Sequence, residues 1–303
     1  MKEQEIIIVN NIPEEIYKKI VIKAIKYSLI SFPFTINRMH ISDLNKRLYN
    51  ISKGKIAEGI FEFFCQENNI ATNFKICQTP FYLPDKRDFI CNNSEWDIKN
   101  NFIYHDNKLL TKNKYTDLPA LVPARSIYDQ WGNRDKHKFD FTKSINYVFS
   151  FMKASSKNDK NSFFDINLSK EQIKFITELS LKYSSSKQNS KPFEEDWFWE
   201  KMKEFKNHDL SFYLKETPYL VITGYANNKH WNLFKITDNK GNSSFNNYAS
   251  GEWYKQTKYG KLSFLDGTIL TRIANATVPI SYLPAFSSLF PRLRDKINYA
   301  KFK

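Results

Sequence analysis

Apolar positions along this chain recur first at helical and then at strand spacing. Pro13 through Leu29 predicts a helix, with Asn10 or Asn11 placed to cap it and Pro13 near its first turn. Ser42–Leu48 predicts a short second helix. A third is expected from Ser52 to Glu67, where Ile56, Ala57, Ile60, Phe61, Phe63 and Phe64 make one broad apolar face. The spacing then turns strand-like in Asn73–Phe81, Asp88–Cys91 and Glu95–Tyr104. A loop-rich stretch leads to a buried strand at Ile145–Met152.

Beyond it, polar joints at Lys153–Asn161 and Ser184–Lys191 frame a helix over Lys170–Tyr183, and another is expected over Phe193–Phe205. The last third is β-rich, with strands at Tyr219–Tyr225 and Trp231–Thr237 and short segments up to Ile280. Asp238–Ser243 is expected to be a solvent turn. There is no internal repeat. This order implies an α/β (α+β) fold, with a central mixed β-sheet flanked by helices and a β-rich C-terminal region.

One hairpin carries most of the chemistry. Asn92-Asn93 suits a two-residue turn that needs positive φ. Such a turn sets Cys91 opposite Ser94, Ile90 opposite Glu95, Phe89 opposite Trp96 and Asp88 opposite Asp97. Directly opposed residues have Cβ atoms about 4.5–5.5 Å apart, and like charges there are destabilising. Lys99, two residues past Asp97, projects from the same face. Two opposed carboxylates gain little for a fold unless a cation sits between them, which points to a divalent-metal site. Glu58, at the rim of the preceding helix's apolar arc, is expected to lean toward the sheet, and Glu62 toward solvent. Asp85 lies an odd number of residues from Asp88 and so on the other face; a bulge at Lys86–Arg87 would reverse the two.

Charge adds a partner class. With 303 residues there is ample sequence for a core, and 46 Lys+Arg against 32 Asp+Glu leave a net charge of +14. That excess favours a polyanion, either nucleic acid or an anionic membrane surface. No apolar run approaches the roughly 20 residues that span a bilayer, and the amino-terminal apolar run Ile6–Val9 is too short for a signal peptide. Cys65, Cys77 and Cys91 have neither disulfide nor zinc-ribbon spacing, which fits a reduced cytoplasm.

Gly54-Lys-Ile-Ala-Glu58 on the helix, Asp88 opening the second strand and Asp97-Ile-Lys99 on the third together resemble the PD-(D/E)xK nuclease superfamily, the restriction-endonuclease-like fold. The resemblance covers Lys53 to Lys99 and extends toward the strand near Val148; the literal Pro-Asp is Pro84-Asp85. It implies a nuclease core over residues 53–152, preceded by a helical region at 1–52. The mixed α/β remainder, 153–303, would complete the core and carry DNA-recognition elements. It also implies that Glu58, Asp88 and Asp97 bind Mg²⁺, with Mn²⁺ as a substitute, and that Lys99 assists the attacking water. The activity so implied is hydrolysis of DNA phosphodiesters by a type II restriction or related prokaryotic defence endonuclease acting as a homodimer on duplex DNA. The alternatives are a repair or RNA-cleaving nuclease of the same fold, and a non-catalytic basic DNA-binding protein. Arg125, Gln130, Arg134, Lys136 and Lys138, together with Lys229 and His230, are candidate DNA contacts because these residue types reach phosphates and base edges. Asn100 and Asn101 either contact the site or start a loop.

Overall fold

The computed structural model describes residues 1–35, 44–83, 87–103, 115–123, 145–153, 164–183, 192–205, 211–215, 217–237, 243–245, 254–256, 261–264, 268–270 and 275–290. Strand β1 (Ile7–Val9) leads into α1 (Glu14–Thr35) and α2 (Leu44–Glu67). The meander β2 (Thr72–Asn73), β3 (Phe89–Cys91) and β4 (Ser94–Ile103) follows, then β5 (Pro119–Pro123), β6 (Asn146–Lys153) and β7 (Phe164–Asn167). Helices α3 (Lys170–Tyr183) and α4 (Glu195–Glu204) precede β8 (Ser211–Leu214), β9 (Tyr219–Ala226), β10 (Lys235–Thr237) and β11 (Ser243–Phe245). The last strands are β12 (Tyr254–Gln256), β13 (Lys261–Phe264), β14 (Thr268–Leu270) and β15 (Asn275–Pro279).

The main sheet is mixed and six-stranded, in the order β1-β9-β6-β4-β3-β2. β4 and β6 run parallel, with Asp97 level with Tyr147 and Lys99 level with Phe149, and every other neighbour pair is antiparallel. Its two faces are both covered. Trp96, Ile98, Val148 and Ile222 pack with α1 and α2 in one core, which also takes in Ile176 of α3 and Phe198 of α4. Tyr147, Phe149, Phe151 and Val221 pack on the other side with Val122 of β5, Val278 of β15 and Phe234. That second core lies against a sheet ordered β11-β10-β15-β5. The architecture is therefore a mixed α/β sheet flanked by helices. Among the described residues, no helix is long and apolar enough to cross a membrane.

Five local predictions are corrected by packing. The two helices expected at Ser42–Leu48 and Ser52–Glu67 are one, α2, which also runs through the division drawn at residue 52. Ser52 does not cap it; its Oγ is buried and donates to Ser28 Oγ at 2.8 Å, so α1 satisfies a polar group that otherwise favours a helix end. α1 continues past Leu29 to Thr35 because Ile30 and Phe32 are also buried. The long strand expected from Asn73 to Phe81 stops at once. Asn73 Oδ1 accepts from Ile76 N–H at 3.1 Å, and the chain turns into a 3₁₀ segment at Lys75–Cys77. The strand expected from Trp231 is a 3₁₀ turn, Asn228–Leu233, and only Lys235–Thr237 pairs. Lys153, expected in a polar joint, belongs to β6.

Helices α1 and α2 approach closely at Gly59, where a Cβ would stand 2.6 Å from Ile20 Cγ2. Ile20 is branched at Cβ and cannot swing its methyl aside cheaply. Gly59→Ala gains about 1 kcal/mol of helix propensity but meets an overpacking cost of about 1–3 kcal/mol. A net loss of stability in a denaturant titration is expected; a clear gain would show that the helices separate freely.

Candidate active site

The hairpin forms with the predicted register: Cys91 pairs with Ser94, Ile90 with Glu95 and Phe89 with Trp96. Asn92 and Asn93 take φ of 50° and 56°, the left-handed conformation that a two-residue turn requires. The strand ladder ends at Phe89. Asp88 lies one step beyond it, its N–H donating to Trp96 O at 2.9 Å. Its Oδ2 accepts from Ile98 N–H at 2.6 Å, so the carboxylate takes the donor that a longer β3 would have bound. Arg87 is ion-paired with Glu95, which ties the approach to β3 onto β4.

Side-chain alternation along β4 sends Trp96 and Ile98 toward the helices and Asp97 and Lys99 toward the other core. Lys99 Nζ donates to Asp97 Oδ2 at 2.5 Å and lies 5.4 Å from the Tyr147 ring centroid. Asp97 is only 7 % exposed. A buried carboxylate of this kind needs such a partner. On α2, Lys55 Nζ donates to Glu58 Oε2 at 2.7 Å, one helical turn away. Lys55 also lies 4.8 Å from the Tyr27 ring.

Asp88 is where these groups meet electrostatically. Burial pushes its carboxyl well above the usual carboxylate range, and the charges of Glu58 and Asp97 push it further. Lys55 and Lys99 act in the opposite sense without cancelling the rise. The four residues singled out from sequence thus share one field, centred on Asp88. Their atoms are less tightly drawn together: among the described residues, no three His, Cys, Asp or Glu side chains form a cluster able to hold a metal ion. Each acid has at least one oxygen engaged, by Lys99, Ile98 N–H or Lys55.

A cleft of about 810 Å³ runs between α1, α2 and the segment from Phe74 to Phe81, with Glu58 and Asp88 on its wall. Glu62, expected to point to solvent, is half-buried and lines the same cleft. Asn100 and Asn101 do not start a loop but belong to β4. Asn100 Oδ1 accepts from Ser150 Oγ at 3.0 Å on the helix-facing side, and its Nδ2 is buried with no partner among the described residues.

Of the expected DNA contacts, Arg125, Gln130, Arg134, Lys136 and Lys138 lie outside the described residues, as does Asp85. Lys229 and His230 sit in the 3₁₀ turn after β9, whose Ala226 is level with Tyr147 and hence with Asp97 two strands away. Lys229 is exposed. His230 is half-buried: its Nδ1 accepts from Asn227 N–H at 3.2 Å, and its ring stands edge-on to Tyr225 at 5.8 Å. Burial, and then Lys229, hold its pKa below the usual value. Trp231, in the same turn, is buried.

Sequence reasoning missed Lys55 and Tyr147. Lys55 lies three residues before Glu58 and so on its face of the helix, a signal that was available. Tyr147 meets Lys99 only through the parallel pairing of β4 with β6, which links positions 48 residues apart. Compared with family models, curated proteins and solved structures, the chain shows no match to any of them.

Proposed function

We propose that this chain is a Mg²⁺-dependent endonuclease that hydrolyses DNA phosphodiester bonds from a PD-(D/E)xK-like core, of the restriction or related prokaryotic defence kind. The observation that carries this reading is the hairpin register, which sets Asp88 one step past the Phe89–Trp96 pair with its carboxylate on Ile98 N–H, beside the Asp97–Lys99 pair of β4. Carboxylates gathered against their own repulsion are a mark of functional sites. The order of elements agrees: a helix bearing Glu58, an antiparallel meander bearing Asp88 and Asp97, and then β6 parallel to β4.

The donor set is all carboxylate oxygen, the set a hard divalent cation takes. Asp88 and Asp97 would hold Mg²⁺, with Glu58 at the outer edge, once the lysines release the oxygens they now bind. When bound, the ion lowers the pKa of water and polarises a phosphoryl oxygen. Lys99 keeps its ammonium beside the reacting phosphate, where it stabilises the charge that builds up on attack. Tyr147 confines that ammonium from below by a cation–π contact. Lys229, exposed at the same end of the sheet, is placed to take a neighbouring phosphate. One acid–lysine set among the described residues of each chain calls for two copies to cut both strands together, so the active form is a homodimer on duplex DNA.

Mapping the ends produced from phage DNA in Mg²⁺ tests the restriction assignment. Ends at one reproducible sequence support it, and scattered or structure-dependent ends turn it toward repair. In the same assay Glu58→Gln is expected to raise the Mg²⁺ concentration needed for half-maximal cleavage while the melting temperature holds. A lower melting temperature with an unchanged metal response would make Glu58 a structural residue. A second reading is favoured by the ion pairs Lys99–Asp97 and Lys55–Glu58, which alone give the acids a scaffolding role in a basic, non-catalytic DNA-binding protein. DNA binding without cleavage under any divalent metal would select it.

A further inference from the structure

The cleft between α1 and α2 has a composition that the acid site does not account for. Lys19, Lys23 and Lys26 line its α1 wall. They stand at i, i+4 and i+7, so they share one stripe of the helix, about 6 Å apart for the first two. All three are exposed, and none is ion-paired with a described acid. Like charges four residues apart weaken a helix, so the stripe is not there for the stability of α1. Facing it, the partly buried rings of Phe63, Phe74 and Phe81 line the floor. Glu62 and Glu195 also line the cleft, Glu195 near the Lys26 end of the stripe, where Lys26 Nζ lies 5.8 Å from the ring of Trp199 and Trp199 Nε1 donates to Glu195 at 3.3 Å.

We infer that this cleft holds an unpaired strand of nucleic acid, with phosphates along Lys19, Lys23 and Lys26 and bases against the phenylalanine floor. A cationic track beside aromatic platforms is how single strands are bound without regard to sequence. At about 810 Å³ the cleft is of small-molecule size and admits a few nucleotides but not a duplex. Because Glu58 and Asp88 stand on its wall, a strand lying in it is delivered to the Glu58–Asp88 edge of the acid site, as an overhang or a frayed end would be. That delivery rests on the nuclease reading; the binding does not.

The test is fluorescence anisotropy in EDTA, which stops cleavage, with a labelled 12-nucleotide oligothymidine and a blunt 12-base-pair duplex. The single strand is expected to bind at least about tenfold more tightly than the duplex. Lys19→Glu/Lys23→Glu should weaken single-strand binding by about tenfold or more and flatten its salt dependence by a slope of about 1.4 for two lost contacts. Lys170→Glu/Lys174→Glu on α3, exposed and matched in net charge, should change it little. Should the first pair lower the melting temperature, Lys19→Gln/Lys23→Gln replaces it. Preference for the duplex, or equal losses from the two double variants, overturns the inference. If Lys19→Glu/Lys23→Glu binds like the parent while the parent cleaves duplex DNA, the cleft assignment falls and the nuclease stands. If strand binding and its loss are seen but no metal supports cleavage, the nuclease falls and the cleft stands.

Discussion

Asp97→Ala is expected to lower the single-turnover rate of Mg²⁺-dependent DNA cleavage by about 10²-fold or more, with DNA affinity nearly unchanged. The carboxylate is 7 % exposed on the face of β4 shared with Lys99, so it acts on what reaches Lys99 and contributes little to the outer DNA contact. Lys99→Ala should match that rate loss, because the ammonium is the one cation held against Asp97 at 2.5 Å among the described residues. The two substitutions differ in stability. Removing Lys99 leaves a buried carboxylate unpaired, a change that typically costs about 3–5 kcal/mol. Asp97→Asn removes the charge and keeps the volume, so a rate loss in that variant at an unchanged melting temperature separates chemistry from folding. Cleavage at the parent rate in Asp97→Asn would remove Asp97 from the site.

The second large effect is at Asp88, where function and stability are expected to move in opposite directions. Asp88→Asn should abolish cleavage yet melt higher than the parent at pH 7–8. In the folded chain burial, Glu58 and Asp97 raise the carboxyl's hold on its proton above that of the unfolded chain. The native state therefore binds more protons than the unfolded one between the ordinary carboxylate range and Asp88's raised value, and stability falls as pH rises through that window. Asparagine does not ionise, and its oxygen still accepts from Ile98 N–H. The gain should be full above the window and vanish below it. A gain of about 1 kcal/mol moves the melting temperature by roughly 2–4 °C in a protein of this size. Calorimetry from pH 4 to 8 reads it directly, and a difference that does not change with pH contradicts the electrostatic origin. Saturating Mg²⁺ should stabilise the parent but not the variant, by mass action.

The hairpin was legible in the sequence because a two-residue Asn-Asn turn leaves one register, and parity then assigns every side chain to a face. Asp97 and Lys99 follow from that alone. The helix over Lys170–Tyr183 was legible for a different reason, since a single apolar stripe between polar joints leaves little choice. What could not be seen depends on contacts distant in sequence. Asn50 to Ser52 looks like a helix break until Ser28 is found across from Ser52. Asn73 ends β2 through its own side chain, a choice that apolar spacing does not register. The turn at Asn228–Leu233 looks like the start of a strand until Trp231 is found buried under the second sheet, built around β15, which covers that side of β6 and β9. Within the site, the alternation that pairs Asp97 with Lys99 also turns both away from α2. Only the bend of the chain at Asp88 brings the field of Glu58 together with theirs.

The claim that these carboxylates serve metal-dependent phosphodiester hydrolysis meets its most direct test in supercoiled plasmid incubated with the purified protein over a Mg²⁺ titration. EDTA and Asp97→Ala run in parallel. The expected result is nicked and then linear DNA whose yield rises with Mg²⁺, vanishes in EDTA and is lost in Asp97→Ala. The contradicting result is intact plasmid at every concentration of Mg²⁺ and Mn²⁺, or cleavage that persists undiminished in EDTA or in Asp97→Ala.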